Sequence, residues 1–153
     1  MIEQNIADHL RNPTTGDTSS TVRQAARERF RHLAGRVYLG RLPEEAVPIG
    51  VSVRTVSGGE LYWVAAEYEL AQPVVEFLIA GRDWEHGPKV LEVAESLRLI
   101  FSGYRGGLGT NECCGCTVLR SASFAPTRLG DGSDRWAHQF SIDFQFTIGQ
   151  SVA

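Results

Sequence analysis

Residue types that could do chemistry are concentrated in positions 103–116, GYRGGLGTNECCGC, which hold five glycines and all three cysteines of the chain. A glycine-rich segment can bind phosphate through its main-chain N–H groups. Closely spaced cysteines can bind zinc or exchange disulfides. Either property would make the protein an enzyme or a metalloprotein, and the elements on each side of the segment decide between these alternatives.

A phosphate loop of the Walker type follows a strand, opens a helix and carries a Lys and a Ser or Thr after its last glycine. Here the glycines follow a predicted helix and precede a predicted strand. Thr110 and Asn111 stand where the Lys would be. The segment is therefore interpreted as a helix-to-strand connection whose glycines allow positive φ angles.

The cysteines form one C-x-x-C pair, Cys113 and Cys116, with Cys114 between them. Structural zinc usually takes four ligands from two such pairs, and the chain has no second pair. The histidines stand apart, at positions 9, 32, 86 and 138. A redox pair normally opens a helix, so these cysteines are interpreted as small, partly buried residues at the start of a strand. No metal and no cofactor are expected, and a zinc-dependent interaction domain is kept as an alternative.

Templates for nucleophilic and acid–base catalysis also fail. No G-x-S-x-G segment is present. His138 falls in register with apolar residues of a predicted strand, which favours a hydrogen-bonded core histidine over a general base. The sequence predicts no catalytic residues and no enzyme.

Composition indicates a single globular domain over residues 1–153, with 42% hydrophobic residues. Fifteen basic and 18 acidic residues give a net charge of −3, which argues against binding nucleic acid or anionic membranes by charge alone. MIEQNIADHL lacks the pattern of a secretory signal. Three cysteines within four positions cannot form a disulfide framework, so a reducing cytosol is expected.

Helical periodicity appears three times. A weak amphipathic helix is predicted over the first ten residues, and a second from about Ser20 to Gly35. A third, HGPKVLEVAESLRLIFSG, has Val90, Ala94, Leu97 and Phe101 along one face and ends at Gly103. The turn formers RNPTTGDTSST follow the first helix, so residues 1–19 are predicted to be a partly flexible segment.

Strand alternation is clearest in WAHQFSIDFQFTI, residues 136–148, where every second residue is apolar or His and the others are mostly polar. CTVLRSASF is its predicted hairpin partner. PVVEFLIAG is apolar on nearly both faces, which predicts a central strand. With a strand around 49–54, the order is α-α-β-β-α-β-β. The predicted fold is α+β, an antiparallel sheet packed against helices.

Five residues are candidates for contacts with other proteins. Trp63, Trp84 and Arg105 are types favoured in interfaces and fall in or near predicted loops. Asp143 and Gln145 belong to the polar face of the last strand. Thirteen extended residues span about 44 Å, longer than a lone domain usually needs, which predicts that this face meets a neighbouring subunit or a bore.

The order of elements resembles the tail completion, or tail terminator, proteins of tailed bacteriophages and related gene-transfer particles. Members carry an R-V/I-Y-…-L-P stretch after the first helical region, and this chain has Arg36, Val37, Tyr38, Leu42 and Pro43 there. A strand then runs into a helix with a short stop, here IFSG. The resemblance covers roughly residues 20 to 149, which would form a tail-terminator-like core.

The resemblance implies a homo-oligomer, a ring of six copies that caps the tail tube and joins it to the head-side connector. The bore would pass DNA without specific binding, and the ring would lie at the head-proximal end of the virion tail, after assembly in the host cytoplasm. A head-completion or stopper protein of the neck is the nearest alternative. A module that binds a small molecule between the sheet and the Pro88–Ser102 helix is a further one.

Overall fold

A computed structural model describes residues 2–11, 21–34, 36–40, 42, 49–57, 63–65, 68–81, 87–109, 111–123 and 138–151. The helices are α1 (Ile2–Arg11), α2 (Thr21–Ala34) and α3 (Gly87–Phe101). The strands are β1 (Val37–Leu39), β2 (Ile49–Ser57), β3 (Trp63–Ala65), β4 (Tyr68–Ala71), β5 (Val74–Gly81), β6 (Gly106–Leu108), β7 (Asn111–Ser123) and β8 (His138–Ser151). The α+β class is confirmed.

The strands form one sheet around β8. The order β1-β2-β5-β8 continues to β7 on the far side of β8, while β4 and then β3 lie beside β8 beyond the end of β5. β6 pairs with the first residues of β7. The expectation of a purely antiparallel sheet is wrong at one place, because β1 and β2 are parallel. β1 has three residues, too few to show a period.

β8 is long because it has two successive partners on one side. Its residues 138–145 pair with β5 and its residues 148–151 pair with β4. Between them the Phe146 N–H donates to the Pro73 carbonyl over 3.0 Å. The hairpin partner β7 covers the other side, as predicted. The chain itself pairs the strand along most of its length, so the length does not require a neighbouring subunit. Contact of its polar face with a neighbouring subunit or a bore stays a prediction.

The core lies between one face of the sheet and the three helices. Alternation along β8 buries Ile142, Phe144 and Phe146 completely, as the sequence predicts. The Phe144 ring meets Phe77 of β5 edge-on, with centroids 5.5 Å apart, and lies 5.8 Å from Phe101 of α3. Aromatic contacts of this kind add to the free energy gained by burying the rings.

Each helix turns its apolar stripe toward this core. On α3 the buried side chains include the four predicted from the period. Phe30 anchors α2, and Ile6 and Leu10 anchor α1 against β1 and β2. The first predicted helix is therefore confirmed. The predicted flexibility of residues 1–19 stays a prediction, and residues 12–20 lie outside the described part of the chain.

The glycine-rich segment connects α3 to β7, as predicted. Gly103 ends the helix with a φ of 70°, and Gly109 turns the chain between β6 and β7 with a φ of 63°. A side chain at Gly109 would also collide with Asn5 of α1. These glycines therefore serve the backbone geometry of a connection that packs closely on α1.

In the described part of the chain, no helix is long and apolar enough to cross a membrane.

We expect Phe144→Ala to lower the free energy of unfolding by about 3–5 kcal/mol, because the cavity would lie among three other aromatic rings. Phe140→Ala, on the same face of the same strand but only half-buried, is the matched control and should cost clearly less. Urea denaturation followed by circular dichroism measures both. Equal losses in the two variants would contradict the assignment of the core.

Candidate assembly surface

A row of four charged side chains crosses the sheet on the face opposite the helices. Arg54, Glu76, Asp143 and Arg120 occupy the same register on β2, β5, β8 and β7. The Arg54 Nε lies 2.8 Å from the Glu76 Oε1, and the Arg120 Nε lies 3.6 Å from the Asp143 Oδ2. Two adjacent carboxylates are thus flanked by two guanidinium groups, and we call these residues the charged row.

Asp143 is the unusual member of the charged row. It is only 8% exposed, and its Oδ1 is buried with no hydrogen-bond partner among the described residues. Burial raises the pKa of the Asp143 carboxyl, and the adjacent Glu76 raises it further, while Arg120 and Arg54 act in the opposite direction. The ionised form is therefore held in an unfavourable site.

The polar face of β8 is less exposed than the sequence suggests. Ser141 is buried together with Asp143, and Gln139, Gln145 and Thr147 are half-buried. Ser141 and Asp143 are thus covered largely within the subunit, and contact of this face with a neighbouring subunit or a bore stays a prediction. Both lie on a central strand, so neighbouring strands flank them on each side.

The five predicted contact residues do not form one cluster. Asp143 and Gln145 lie two residues apart on β8, in the middle of the sheet. Trp63 begins β3, in a strand rather than in a loop, and Arg105 is exposed between α3 and β6. β3 and β6 are at opposite edges of the sheet, four strand spacings or about 19 Å apart. Trp84 lies outside the described residues.

Sequence reasoning missed Arg54, Glu76 and Arg120. Each lies in a strand, and Arg54 and Glu76 fall on the polar phase of an alternating pattern. Only the pairing registers reveal that the three surround Asp143, and a one-residue shift of any strand would separate them. The available signal was the presence of charged residues inside predicted strands, and it is weakest for Arg120, which lies in a strand that is largely polar and exposed.

The cysteines are located as interpreted from the sequence. Cys113 and Cys116 are buried near the start of β7, and Cys114 is exposed. Burial raises the pKa of both buried thiols, which leaves them protonated and poor nucleophiles. The Cys113 Sγ lies 3.2 Å from the Gly115 carbonyl oxygen. No group of three or more His, Cys, Asp or Glu side chains that could hold a metal occurs among the described residues.

An open groove of about 410 Å³ lies between α3 and the end of the β7–β8 hairpin. Its lining residues are Leu91, Ala94, Glu95, Arg98, Ser121, Ser123 and Phe140. The Arg98 Nη2 donates to the Ser121 Oγ over 2.7 Å, and its guanidinium carbon is 5.9 Å from the Phe140 ring centroid. The groove lies on the helix-covered side of the sheet, beside Ser121 and Ser123 of β7, which makes it a candidate contact surface.

Comparison with solved structures gives a likeness in fold. No known protein family and no curated protein matches the sequence. A chain of the solved structure described as "Virion of native gene transfer agent (GTA) particle" is similar in fold, with a TM-score of 0.55 and 12% sequence identity. The match covers 86% of this chain and 100% of that chain. The likeness shows a shared fold.

We expect Asp143→Asn to gain stability relative to the wild type as the pH rises from about 4 toward neutrality. Because the pKa of Asp143 is raised in the folded state, the folded protein binds more protons than the unfolded chain above the ordinary Asp pKa. The wild type therefore loses stability as the pH rises through that window, and the asparagine variant lacks this loss. Urea denaturation across this pH range measures the difference.

Gln145→Ala, a substitution two residues along the same strand that removes no titrating group, is the control and should leave the pH dependence unchanged. A difference between Asp143→Asn and the wild type that stays constant with pH would contradict the unfavourable site for the carboxylate.

We expect combined replacement of Cys113, Cys114 and Cys116 by Ser or Ala to leave the fold intact at a cost of about 1–2 kcal/mol. The cost should come from the two buried positions, so Cys114→Ser alone should be neutral. Thermal denaturation with and without a chelator provides the measurement. Unfolding of the wild type by the chelator would instead indicate a structural metal.

Proposed function

We propose that the protein is a structural component of a phage-like virion and acts as its tail terminator. In this role several copies, six by the resemblance of the sequence, form a ring that ends growth of the tail tube and joins it to the head-side connector. The observation that carries the proposal is the shared fold with a chain of a gene transfer agent virion, over the whole of that chain. The finer role of tail terminator rests on the order of elements and on the Arg36–Pro43 stretch, which resemble the tail terminator proteins.

The surface of the subunit suits assembly better than catalysis. A ring component needs strands and edges that contact neighbours, and this sheet has a 13-residue strand, β7, along one side. The two buried thiols are protonated, and the charged row pairs its carboxylates with guanidinium groups. The proposed role requires no active site, and no catalysis is part of the proposal.

The proposed partners are other copies of the chain, the tail tube protein and a connector or stopper protein. DNA would pass the ring without specific binding, which agrees with a net charge of −3 because a basic bore would retain the phosphate backbone. The proposed location is the head-proximal end of the tail in the virion, after assembly in the host cytoplasm.

The test is assembly of particles without this protein. We expect tails of uncontrolled length that lack heads, and restoration of tails of defined length when the purified protein is supplied. Electron microscopy measures tail length and head attachment. Tails of normal length that fail to hold heads or DNA would indicate a stopper of the neck instead, and unchanged particles would contradict a virion role.

A further inference from the structure

Among the described residues, the sheet has edges at β1, at β3, at β6 and at the part of β7 beyond Cys113. In the part of the chain that the structure describes, β1 pairs only with β2, and β7 beyond Cys113 pairs only with β8. Exposed edges of this kind can pair with strands of another chain, and stable proteins usually cover or block them. Two bulges interrupt β7, after Cys113 and after Val118, and leave Arg120–Ser123 as a regular stretch.

Main-chain directions on β7 follow from the hydrogen bonds of β8. The Phe146 N–H points to Pro73, on the side of β8 away from β7. Because main-chain groups alternate along an antiparallel strand, residues of β7 opposite even-numbered residues of β8 turn their own N–H and C=O outward. Cys116, opposite Phe146, obeys this rule, since its carbonyl accepts from the Gly103 N–H over 2.8 Å.

In the regular stretch, Ser121 and Ser123 are the residues whose main-chain groups point away from β8, because they lie opposite Ile142 and Phe140. Their N–H and C=O groups therefore face the open edge, whereas those of Ala122 face β8. The same two serines line the groove beside α3. A strand added at this edge would find main-chain partners and, next to them, the groove with Leu91, which is 54% exposed.

The β1 edge of a second copy offers a strand that could be added there. The Arg11 Nη2 of α1 already donates to the Val37 carbonyl, so the outward main-chain groups that β1 offers are those of Leu39. Leu39 of β1 is 41% exposed. Its side chain lies on the same face of the sheet as that of Val37, which is buried on the helix-covered side. Ser121 has the phase of the helix-covered side as well, since it lies opposite Ile142. Joining these edges would continue the sheet from one copy to the next, with the Leu39 side chain on the side of the groove.

We propose that the Arg120–Ser123 edge of one copy pairs with β1 of a second copy, and that the groove receives the apolar side chain of the incoming strand. The two edges are different surfaces, so the contact is head-to-tail, which is the type of interface that closes into rings. The proposal rests on the proposed function for the closure into a ring, and it names the contact between subunits.

Proline at position 121 tests the pairing directly. Ser121→Pro removes an N–H that points to the open edge, so the β7–β8 ladder should survive while strand addition is blocked. Ser121→Ala removes the same hydroxyl but keeps the N–H, and is the matched control. We expect native mass spectrometry at the highest soluble concentration to show oligomers for the wild type and Ser121→Ala, and single copies for Ser121→Pro with a retained circular dichroism spectrum.

A second pair of variants tests the groove without changing a residue of β7. Leu91→Lys places a charge in the groove, and Leu99→Lys places one on the same helix at a leucine that is 38% exposed and not part of the lining. Only Leu91→Lys should weaken self-association, by at least tenfold in dissociation constant. Equal effects of the two variants would overturn the role of the groove.

Cross-linking identifies the incoming strand. In a Cys114→Ser background, one protein carries Leu39→Cys and another carries Ser121→Cys or Ser123→Cys. Paired strands bring such positions within disulfide range, so mixing and oxidation should give a cross-linked dimer, and Leu99→Cys in place of Leu39→Cys should not. The proposal would be overturned by a wild type that stays a single copy or by an unchanged oligomer mass for Ser121→Pro. It would also be overturned if the variants affected only binding to another virion protein. Failure of tail termination with intact edge pairing would reject the proposed function alone.

Discussion

The pairing of β8 with three strands is the constraint on which the other features depend. β5 and β4 line up along one side of it and β7 along the other, so its register sets the register of most of the sheet. Because side chains alternate with period two, the same register places Phe144 under α3 and Asp143 on the opposite face. The aromatic core and the charged row are consequences of one alignment.

That alignment has a cost on the polar face. A carboxylate at position 143 is buried beside Glu76, and Arg120 offers it one ion pair at 3.6 Å. The exposed side chain of Arg120 can move, so the pair gives limited compensation for the lost hydration of the carboxylate. The aromatic contacts on the other face supply the stability that permits this site.

Hydrophobic periodicity and the turn-forming residues between segments made most of the large elements predictable. The three helices and the strands β2, β5, β7 and β8 carry enough residues for a repeat to appear, and the glycines mark the connection after α3. The three-residue strands β1, β3 and β6 have no such repeat. The parallel pairing of β1 and the burial of Asp143 depend on partners distant in sequence, so no local pattern could indicate them.

The residues of the candidate surface divide in the same way, into those that a local pattern predicts and those that it does not. Asp143 and Gln145 were found because they belong to the polar face of a clear alternation. The position of Arg54, Glu76 and Arg120 next to Asp143 is set only by the cross-strand register. The open edge is also a property of topology, since Ser121 and Ser123 have no distinctive composition. Residue type can indicate that a strand is polar on one side, but it cannot indicate which strand lacks a neighbour.

Charge balance connects these surfaces to the proposed role. The charged row holds two guanidinium groups and two carboxylates, so in its ionised form it has no net charge and little long-range attraction for a polyanion. Pairing through main-chain groups at the edge would place the added strand beside Arg120 but would leave the face that carries the row uncovered, since an added strand continues the sheet in its plane. In the proposed ring, the face opposite the helices would line a passage without holding DNA, and the edges would provide the contacts between copies.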